Sequence, residues 1–283
     1  MSDAALVSIC IPTYNAEPFL PAALTAAAQQ TYRPLEIVIS DHGSTDATLG
    51  IVNAFIRRSP VPVRLLSCPD AGTAATNWNY CAAAARGTYL KFLFQDDILY
   101  PTCVARLVAA AAGDTRIGFV FSPREILHDP QDAEHLRWVA NYALQHRAWT
   151  DLRPVMPGRR LLGDSGLLSH PLNKIGEPTV VLLRRDLFFR AGGFDPRLQQ
   201  IVDWECYLRC LPHCRVAYID EVLSGFRLHP EQLTVKNRGR VNELHLLYGS
   251  MMRPSIFFHL HWRVRFTLVR RITGEVLSRL GTG

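Results

Sequence analysis

The stretch Phe92-Leu93-Phe94-Gln95-Asp96-Asp97-Ile98-Leu99-Tyr100-Pro101 decides how this chain is read. A mostly apolar run, Tyr89 to Phe94, stops abruptly at two adjacent carboxylates. Pro101 can then open a helix, because its missing N–H would be unpaired in a first turn anyway. A short, nearly unbroken apolar run reads as a strand buried on both faces, as in parallel sheets. In open α/β sheets ligands sit beyond the carboxyl ends of strands, so Asp96 and Asp97 fall where a ligand would bind. Side by side, two carboxylates repel unless a proton or a cation relieves them. A hard divalent cation that also grips phosphates gives that relief.

The same pattern extends to both sides. Leu6 to Ile11 reads as a first buried strand closed by Pro12, with Thr13, Tyr14 and Asn15 at its carboxyl end. Phe19, Leu20, Ala23, Leu24 and Ala27 recur at helical spacing. Glu36 to Ser40 is a second strand with Asp41 to Asp46 as its exit loop, followed by a helix through Leu49, Val52, Phe55 and Ile56. Val63 to Ser67 is a third strand; Asn77 to Ala85 is helical and ends at Gly87. After the acidic pair come a helix face at Val104, Leu107, Val108 and Ala111 and a strand at Ile117 to Phe121. Strands alternating with helices predict a doubly wound α/β unit with a mostly parallel sheet over residues 1–122. The second half, 123–235, carries a helix near Ala133 to Leu144 and a strand at Thr179 to Leu183. A Gly192-Gly193-Phe194-Asp195 turn, a helix from Asp203 to Leu211, and strands at Val216 to Ile219 and Val222 to Leu228 follow. Residues 236–283 read as a basic amphipathic helical tail.

Composition narrows the class. The 283 residues are 48% hydrophobic and 20% charged, which suits a water-soluble domain with a real core. Seven cysteines at irregular spacing argue against a disulfide framework and for a reducing compartment. Met1 to Ala5 carries Asp3 and no basic flank, so no secretory signal is expected. No apolar run reaches the roughly 18 residues that a bilayer span requires. The net charge of +6 sits mainly in the tail: Arg253 to Gly283 holds six Arg and one Glu. No nucleic-acid partner is expected.

Several familiar sites are missing. There is no Gly-x-Gly-x-x-Gly, no Gly-x-Ser-x-Gly elbow and no His-Glu-x-x-His. Gly158 to Ser165 has the spacing of a P-loop, but Asp164 stands where the phosphate-binding Lys must be. What remains is a set of polar residues at strand ends: Tyr14 and Asn15, Asp41, Asp96 and Asp97. Singly, each suits a turn. Together they could line one crevice, with an aromatic and an amide for a flat heterocycle and a carboxylate for a base N–H. The acidic pair could then take a ribose and a metal on a diphosphate.

As a set, Val7 to Asn15, Glu36 to Asp46, Asn77-Trp78-Asn79 and Lys91 to Asp97 resemble the family 2 glycosyltransferases. Gly176 to Thr179, Gly193-Phe194-Asp195, Asp203-Trp204-Glu205 and Phe226 to His229 resemble the acceptor-side signatures of members that build bacterial surface polysaccharides. The resemblance covers roughly residues 6–235. It implies an A-type glycosyltransferase fold and an inverting transfer from a nucleoside-diphosphate sugar to a saccharide or lipid-linked saccharide. Pro12, Thr13, Tyr14, Asn15 and Asp41 would hold the nucleoside, and Asp96 would lie near the ribose. Asp97 would bind a divalent metal, Mg²⁺ or Mn²⁺, through the diphosphate. Asp203 falls at the family's catalytic base, and Arg227 and His229 on a segment that closes near the diphosphate. Two departures stand out. Asp41-His42 replaces a frequent Asp-Asp, and Val202-Asp203 replaces a frequent Glu-Asp, which leaves Glu205 as a second candidate acid. A nucleotidyltransferase, or a non-catalytic nucleotide-sugar binder, would use a similar sheet. The first normally carries a Gly-rich loop where Pro12 to Asn15 stands.

In the tail, Phe258, Trp262, Phe266, Val269, Ile272, Val276 and Leu280 repeat at spacings of three or four, with Arg263, Arg270 and Arg271 mostly off the stripe. Such a helix suits the surface of an anionic membrane, where a cytoplasmic enzyme would meet a lipid-linked acceptor. The same stripe would also suit packing on the protein's own core or on a second subunit.

Overall fold

A computed structural model gives the structure of residues 4–69, 72–237 and 242–280; for residues 233–234 and 274–280 only the backbone is described. The strands in chain order are β1 (Val7–Thr13), β2 (Leu35–Asp41), β3 (Val63–Ser67), β4 (Tyr89–Phe92), β5 (Ile98–Leu99) and β6 (Ile117–Phe121). They continue with β7 (Glu125–Leu127), β8 (Val155–Pro157), β9 (Val181–Arg184), β10 (Arg215–Tyr218) and β11 (Ser224–Arg227). Eight form one sheet in the order β3-β2-β1-β4-β9-β6-β10-β8, and β5-β11-β7 form a small second sheet. The first four are mutually parallel; β9 runs against both β4 and β6, β10 parallels β6, and β8 opposes β10. Only β9 and β8 are therefore reversed, and the sheet is mostly parallel as expected.

Alternation along β1 divides the core between the two faces of the sheet. Ile9 and Ile11 pack with Leu20, Leu24, Val52, Phe55, Val104 and Leu107. Cys10 belongs to the other core, with Ala75, Cys81, Trp204 and Leu208. Because helices cover both faces, every residue of β1 and β2 is buried. All seven cysteines are free.

The strand boundaries differ from the sequence reading in three instructive places. Pro12 does not close β1, which continues to Thr13 opposite Asp41. Its neighbour two residues back, Cys10, accepts from Leu93 N on the β4 side, so the donor that Pro12 lacks faces the side where the β4 ladder has already ended at Phe92. Ile98 and Leu99, read as resumed apolar residues, form an edge strand antiparallel to β11. Thr179 precedes β9 within a short 3₁₀ turn, Pro178–Val180.

The tail also departs from a single helix. Leu244–Met251 and Pro254–Phe257 are separate helices, and Trp262–Leu280 follows after a break. Leu247, Met251, Ile256, Leu260, Val264 and Leu268 all join the main core, so this region is an integral part of the domain.

Candidate active site

The carboxyl ends of β1, β2 and β4 converge, and their exit residues are tied together by hydrogen bonds. Asn77, buried on the helix Ala74–Ala84, donates from Nδ2 to the carbonyls of Thr13 (3.3 Å) and Ser40 (3.1 Å) and accepts from Ser40 Oγ (2.5 Å). Gln95 clamps the backbone of Tyr14, accepting from its N–H at 2.8 Å and donating to its carbonyl at 3.1 Å. This leaves the Tyr14 ring projecting, 56% exposed, with His42 edge-on at 6.3 Å. Asn15 adopts a left-handed φ of 45°, which a short amide side chain tolerates. Its Oδ1 accepts from Thr45 N at 2.9 Å, and its N–H donates to Ser44 Oγ at 2.9 Å.

Asp41 has a part that its sequence position did not reveal. Its carboxylate takes four donors: Thr13 Oγ1 (3.1 Å) and Ser44 Oγ (2.5 Å) on Oδ1, and the N–H groups of Gly43 (3.1 Å) and Ser44 (2.9 Å) on Oδ2. It therefore shapes the 41–44 loop, and Gly43 supplies the φ of 77° that the loop needs.

The acidic pair divides into one covered and one facing carboxylate. Asp97 is 1% exposed; its Oδ2 accepts from Thr179 Oγ1 at 2.6 Å and its Oδ1 from Arg227 N at 3.2 Å. Burial, and then the Asp96 charge, push its carboxyl well above the usual range. Asp96 is half-buried, with Oδ2 2.8 Å from His229 Nε2. Arg227 Nε donates to the Asp96 carbonyl at 3.0 Å, and its guanidinium lies 5.3 Å over the Phe19 ring. The small sheet thus carries Arg227 and His229 onto the acidic pair. Lys91, fully buried on β4, donates from Nζ to the carbonyls of Thr179 and Val181. Burial lowers its pKa, and the nearby Asp97 opposes that shift.

Asp203 stands in the first turn of the helix Val202–Cys210. Oδ1 accepts from Trp204 N at 2.7 Å and Oδ2 from Asn173 Nδ2 at 2.9 Å. The group keeps some solvent contact but lies among protein atoms. That desolvation raises its pKa to about 7, with the Glu177 charge adding and the two hydrogen bonds opposing. Glu177 also adds to the upward push on Asp97, so its field reaches both acids. It is itself held by the buried Arg124, with Nη2 to Oε1 at 3.1 Å. Glu177, Asn173 and Arg124 are the parts that sequence reading missed as site residues. Only the Gly176-Glu177-Pro178-Thr179 stretch hinted at them.

Glu205 points elsewhere. It is buried, accepts from Arg209 Nε (2.8 Å) and Nη2 (2.6 Å), and takes Ser250 Oγ at 2.5 Å. Two residues apart on a helix, Asp203 and Glu205 face different ways, and the pair Glu205–Arg209 anchors the helix Leu244–Met251. The turn before Asp203 is fixed by Asn79, which exchanges hydrogen bonds with the Phe194 backbone at 2.7 and 2.9 Å. A Cβ on Gly193 would lie 2.8 Å from Asn79 Oδ1, so only glycine fits there.

Among the described residues no group of three or more His, Cys, Asp or Glu side chains could hold a metal unaided. The acidic pair nonetheless suits a divalent cation that completes its shell with phosphate oxygens and water, because Asp96 faces out directly beside the covered Asp97 and two adjacent carboxylates repel without a cation or a proton.

Comparison with known sequences and structures identifies the family and the fold. The family model "Glycosyl transferase family 2" matches residues 8–168. An uncharacterized protein of Mycobacterium tuberculosis, MT1568, is 31% identical over 219 residues, covering 77% of this chain and 66% of that protein. A PGL/p-HBAD biosynthesis glycosyltransferase of the same species is 28% identical over 234 residues, covering 79% and 77%. A hyaluronan synthase of Pasteurella multocida is 22% identical over 258 residues, 90% of this chain but only 24% of its own length. Among solved structures, S. aureus TarS 1–349 in complex with UDP-GlcNAc aligns with a TM-score of 0.65 at 17% identity, covering 88% of this chain and 64% of that one. Mannosyltransferase PcManGT from Pyrobaculum calidifontis, with GDP-Man and Mn²⁺, aligns at 0.62 and 20%, covering 89% and 65%. The chain has the A-type glycosyltransferase fold and belongs to glycosyl transferase family 2.

Proposed function

We propose that the crevice transfers a sugar from a nucleoside-diphosphate sugar to a hydroxyl of a saccharide or lipid-linked saccharide, with inversion at the anomeric carbon. The observation that carries this reading is Asp203. It is a half-buried carboxyl raised to about 7, positioned by Asn173 and linked through the field of Glu177 to Asp97. A base near neutrality suits removal of a hydroxyl proton at physiological pH. The acceptor oxygen attacks the anomeric carbon as the bond to the diphosphate oxygen breaks. Asp203 takes the acceptor proton, and the leaving diphosphate keeps the electron pair. Asp97, with Asp96 beside it, would hold Mg²⁺ or Mn²⁺, which would supply charge neutralisation on the leaving group. Arg227 and His229, which hydrogen-bond to Asp96 and Asp97, would meet the diphosphate in this reading. Tyr14 offers a ring to the base, while Pro12, Thr13, Asn15 and Asp41 set the shape of the pocket wall behind it. Glu205, committed to Arg209 and Ser250, has a structural role in this reading.

The chain covers only part of several relatives, and the solved neighbours held different bases and sugars, UDP-GlcNAc and GDP-Man. The donor is found directly by a thermal-shift screen of nucleoside diphosphates and their sugars with Mg²⁺ or Mn²⁺. The matching donor raises the melting temperature by mass action; no shift with any of them refutes donor binding.

We also propose that the enzyme works at the cytoplasmic leaflet. Among the described residues no helix is long and apolar enough to cross a membrane. The tail stripe divides in the structure. Phe258, Trp262, Phe266 and Val269 face outward, at 71%, 62%, 65% and 45% exposure. Ile272 is half-buried against the core, and the side chains of Val276 and Leu280 lie outside the described residues. The inward face is instead Leu260, Val264 and Leu268. From Leu244 to Gly274 there are five arginines and no carboxylate. Each Arg near anionic lipid contributes about 1 kcal/mol, and the outward aromatics suit the interface.

A further inference from the structure

At the amino edge of the large sheet, the opposite end of the strands from Asp96 and Asp97, lies a cavity of about 800 Å³. Five arginines line it: Arg116, Arg159, Arg184, Arg190 and Arg215. Four of them form two Arg–Asp–Arg groups. Asp114 accepts from Arg116 Nε (2.9 Å) and Nη2 (3.1 Å) and from Arg215 Nη1 (2.7 Å). Asp186 accepts from Arg184 Nε (2.9 Å) and Nη2 (2.5 Å) and from Arg190 Nη2 (3.1 Å). Arg159, on the short helix Gly158–Leu162, has no carboxylate partner among the described residues. Two carboxylates against five guanidiniums leave an excess of three positive charges.

The strands are bent to make this cavity. The β6–β10 ladder slips at one point: Ile117 faces Arg215 and Phe119 faces Val216, so Gly118 is the extra residue of a bulge. A bulge re-aims the side chains beside it, here Arg215. A Cβ on Gly118 would come within 2.7 Å of Leu187 Cδ2 and 3.1 Å of Cys214 Cβ, so a larger residue there would have to push the Leu187 side chain aside. Arg215 Nε is buried without a hydrogen-bond acceptor. Such an orphaned donor is costly unless something fills the gap.

We propose that this cavity binds a phosphorylated ligand carrying about two or three negative charges, in a site separate from the crevice. Guanidinium forks match phosphate oxygens bidentately. The two aspartates hold the forks in place beforehand, so little side-chain freedom is lost on binding. The donors in the cavity far outnumber its acceptors, since each guanidinium brings five N–H groups, and phosphate oxygens are what they lack. The volume is ample for a diphosphate or a lipid headgroup. Two sources carry this chemistry: a soluble diphosphate and the phosphomonoester of a membrane lipid. The second is supported by proximity, because the helix bearing Arg159 runs to Gly163, where a Cβ would lie 3.5 Å from the carbonyl of His259, the residue after the outward Phe258. The proposal does not depend on the chemistry assigned to the crevice.

The test uses the full chain in excess chelator, titrated calorimetrically with inorganic diphosphate. Three proteins are compared: the parent, the double variant Arg159→Gln/Arg190→Gln, and Asp97→Asn. Both arginines are exposed, so the double variant should keep the parent's melting temperature. A parallel sedimentation arm compares vesicles containing phosphatidic acid with vesicles containing phosphatidylglycerol at matched surface charge. A soluble source predicts one-to-one diphosphate binding, at least tenfold weaker in the double variant and unchanged in Asp97→Asn. A lipid source predicts a preference for phosphatidic acid that the double variant loses. If diphosphate binds equally well to the double variant, or not at all, and the vesicles are not distinguished, the site does not exist.

Discussion

Asp203 ties stability and activity together in a way that can be measured. Its pKa rises from an ordinary 3.8 to about 7 in the folded chain. Between those values the folded state holds the proton more tightly than the unfolded state. The parent therefore loses stability as pH rises through that window, and the loss is complete above about 7. At 1.36 kcal/mol per pH unit, ionised Asp203 costs the fold about 4 kcal/mol at pH 8. Asp203→Asn removes that cost but introduces another. Asn173 already donates to the Gly176 carbonyl and accepts from the N–H groups of Ile175 and Gly176. It cannot flip to receive a new amide, so the variant gives up one hydrogen bond, about 1 kcal/mol. The variant should then be more stable than the parent by about 3 kcal/mol at pH 8, and by well under 1 kcal/mol at pH 5. For a chain of this size that is about 5–10 °C in melting temperature at pH 8. The assay is thermal unfolding of both proteins from pH 5 to pH 8, beside transfer rates over the same range. Parent activity should climb with pH to a plateau above about 7, and the variant should be inactive throughout while still binding donor. A variant no more stable than the parent at pH 8, with parallel stability curves, refutes the assignment.

Three further outcomes follow from the geometry. Asp97→Asn should remove most activity and retain the fold, since the neutral amide relieves a buried carboxyl; full activity, or turnover undiminished in excess chelator, contradicts the metal role. Glu205→Gln should cost about 3 kcal/mol by leaving the buried Arg209 charge without a carboxylate, although its bonds to the Ala191 and Gly193 carbonyls remain, yet the folded fraction should keep its specific activity; selective loss of turnover would restore Glu205 as an acid. Trp262→Glu/Phe266→Glu should abolish sedimentation with anionic vesicles at low salt and leave the melting temperature within about 1 °C. A parent that ignores such vesicles, or a variant that turns monomeric from a dimer, identifies the stripe as a packing surface. Truncation after Arg253 is the poorer test, because it strips Ile256, Leu260, Val264 and Leu268 from the core.

The first half of the chain was legible because most of its strands are buried on both faces, and burial writes itself into sequence as continuous apolar runs; the edge strand Val63–Ser67 is only partly buried but keeps a Val63-Arg64-Leu65-Leu66 core. Val63–Ser67 and Ile117–Phe121 match their expected bounds. The strand ends were less legible. Pro12 reads as a terminator, and only the early end of the β4 ladder lets β1 run past it. The edge strands Ile98–Leu99, Glu125–Leu127 and Val155–Pro157 are too short to show a period. Sequence named the acids but not their state. Three of the four donors on Asp41 are local, from Gly43 and Ser44, but the Thr13 bond, and the covering of Asp97 while Asp96 faces out, depend on contacts 28 to 133 residues apart in the chain. Lys91 and Arg124 are buried charges satisfied by carbonyls and by Glu177, and no local pattern announces such partners. In the tail the sequence reading followed the aromatic stripe, whereas packing buries the aliphatic residues Leu260, Val264 and Leu268 that it passed over.

The central claim is single-displacement transfer with Asp203 as the base. It is tested most directly by incubating the protein with the donor found in the thermal screen, Mg²⁺ or Mn²⁺, and a saccharide acceptor, and reading the product by proton NMR. The account predicts free nucleoside diphosphate in equal amount to a new glycoside whose anomeric configuration is opposite to that of the donor, with no product from Asp203→Asn. Release of pyrophosphate, a product of retained configuration, or undiminished transfer by Asp203→Asn would contradict it.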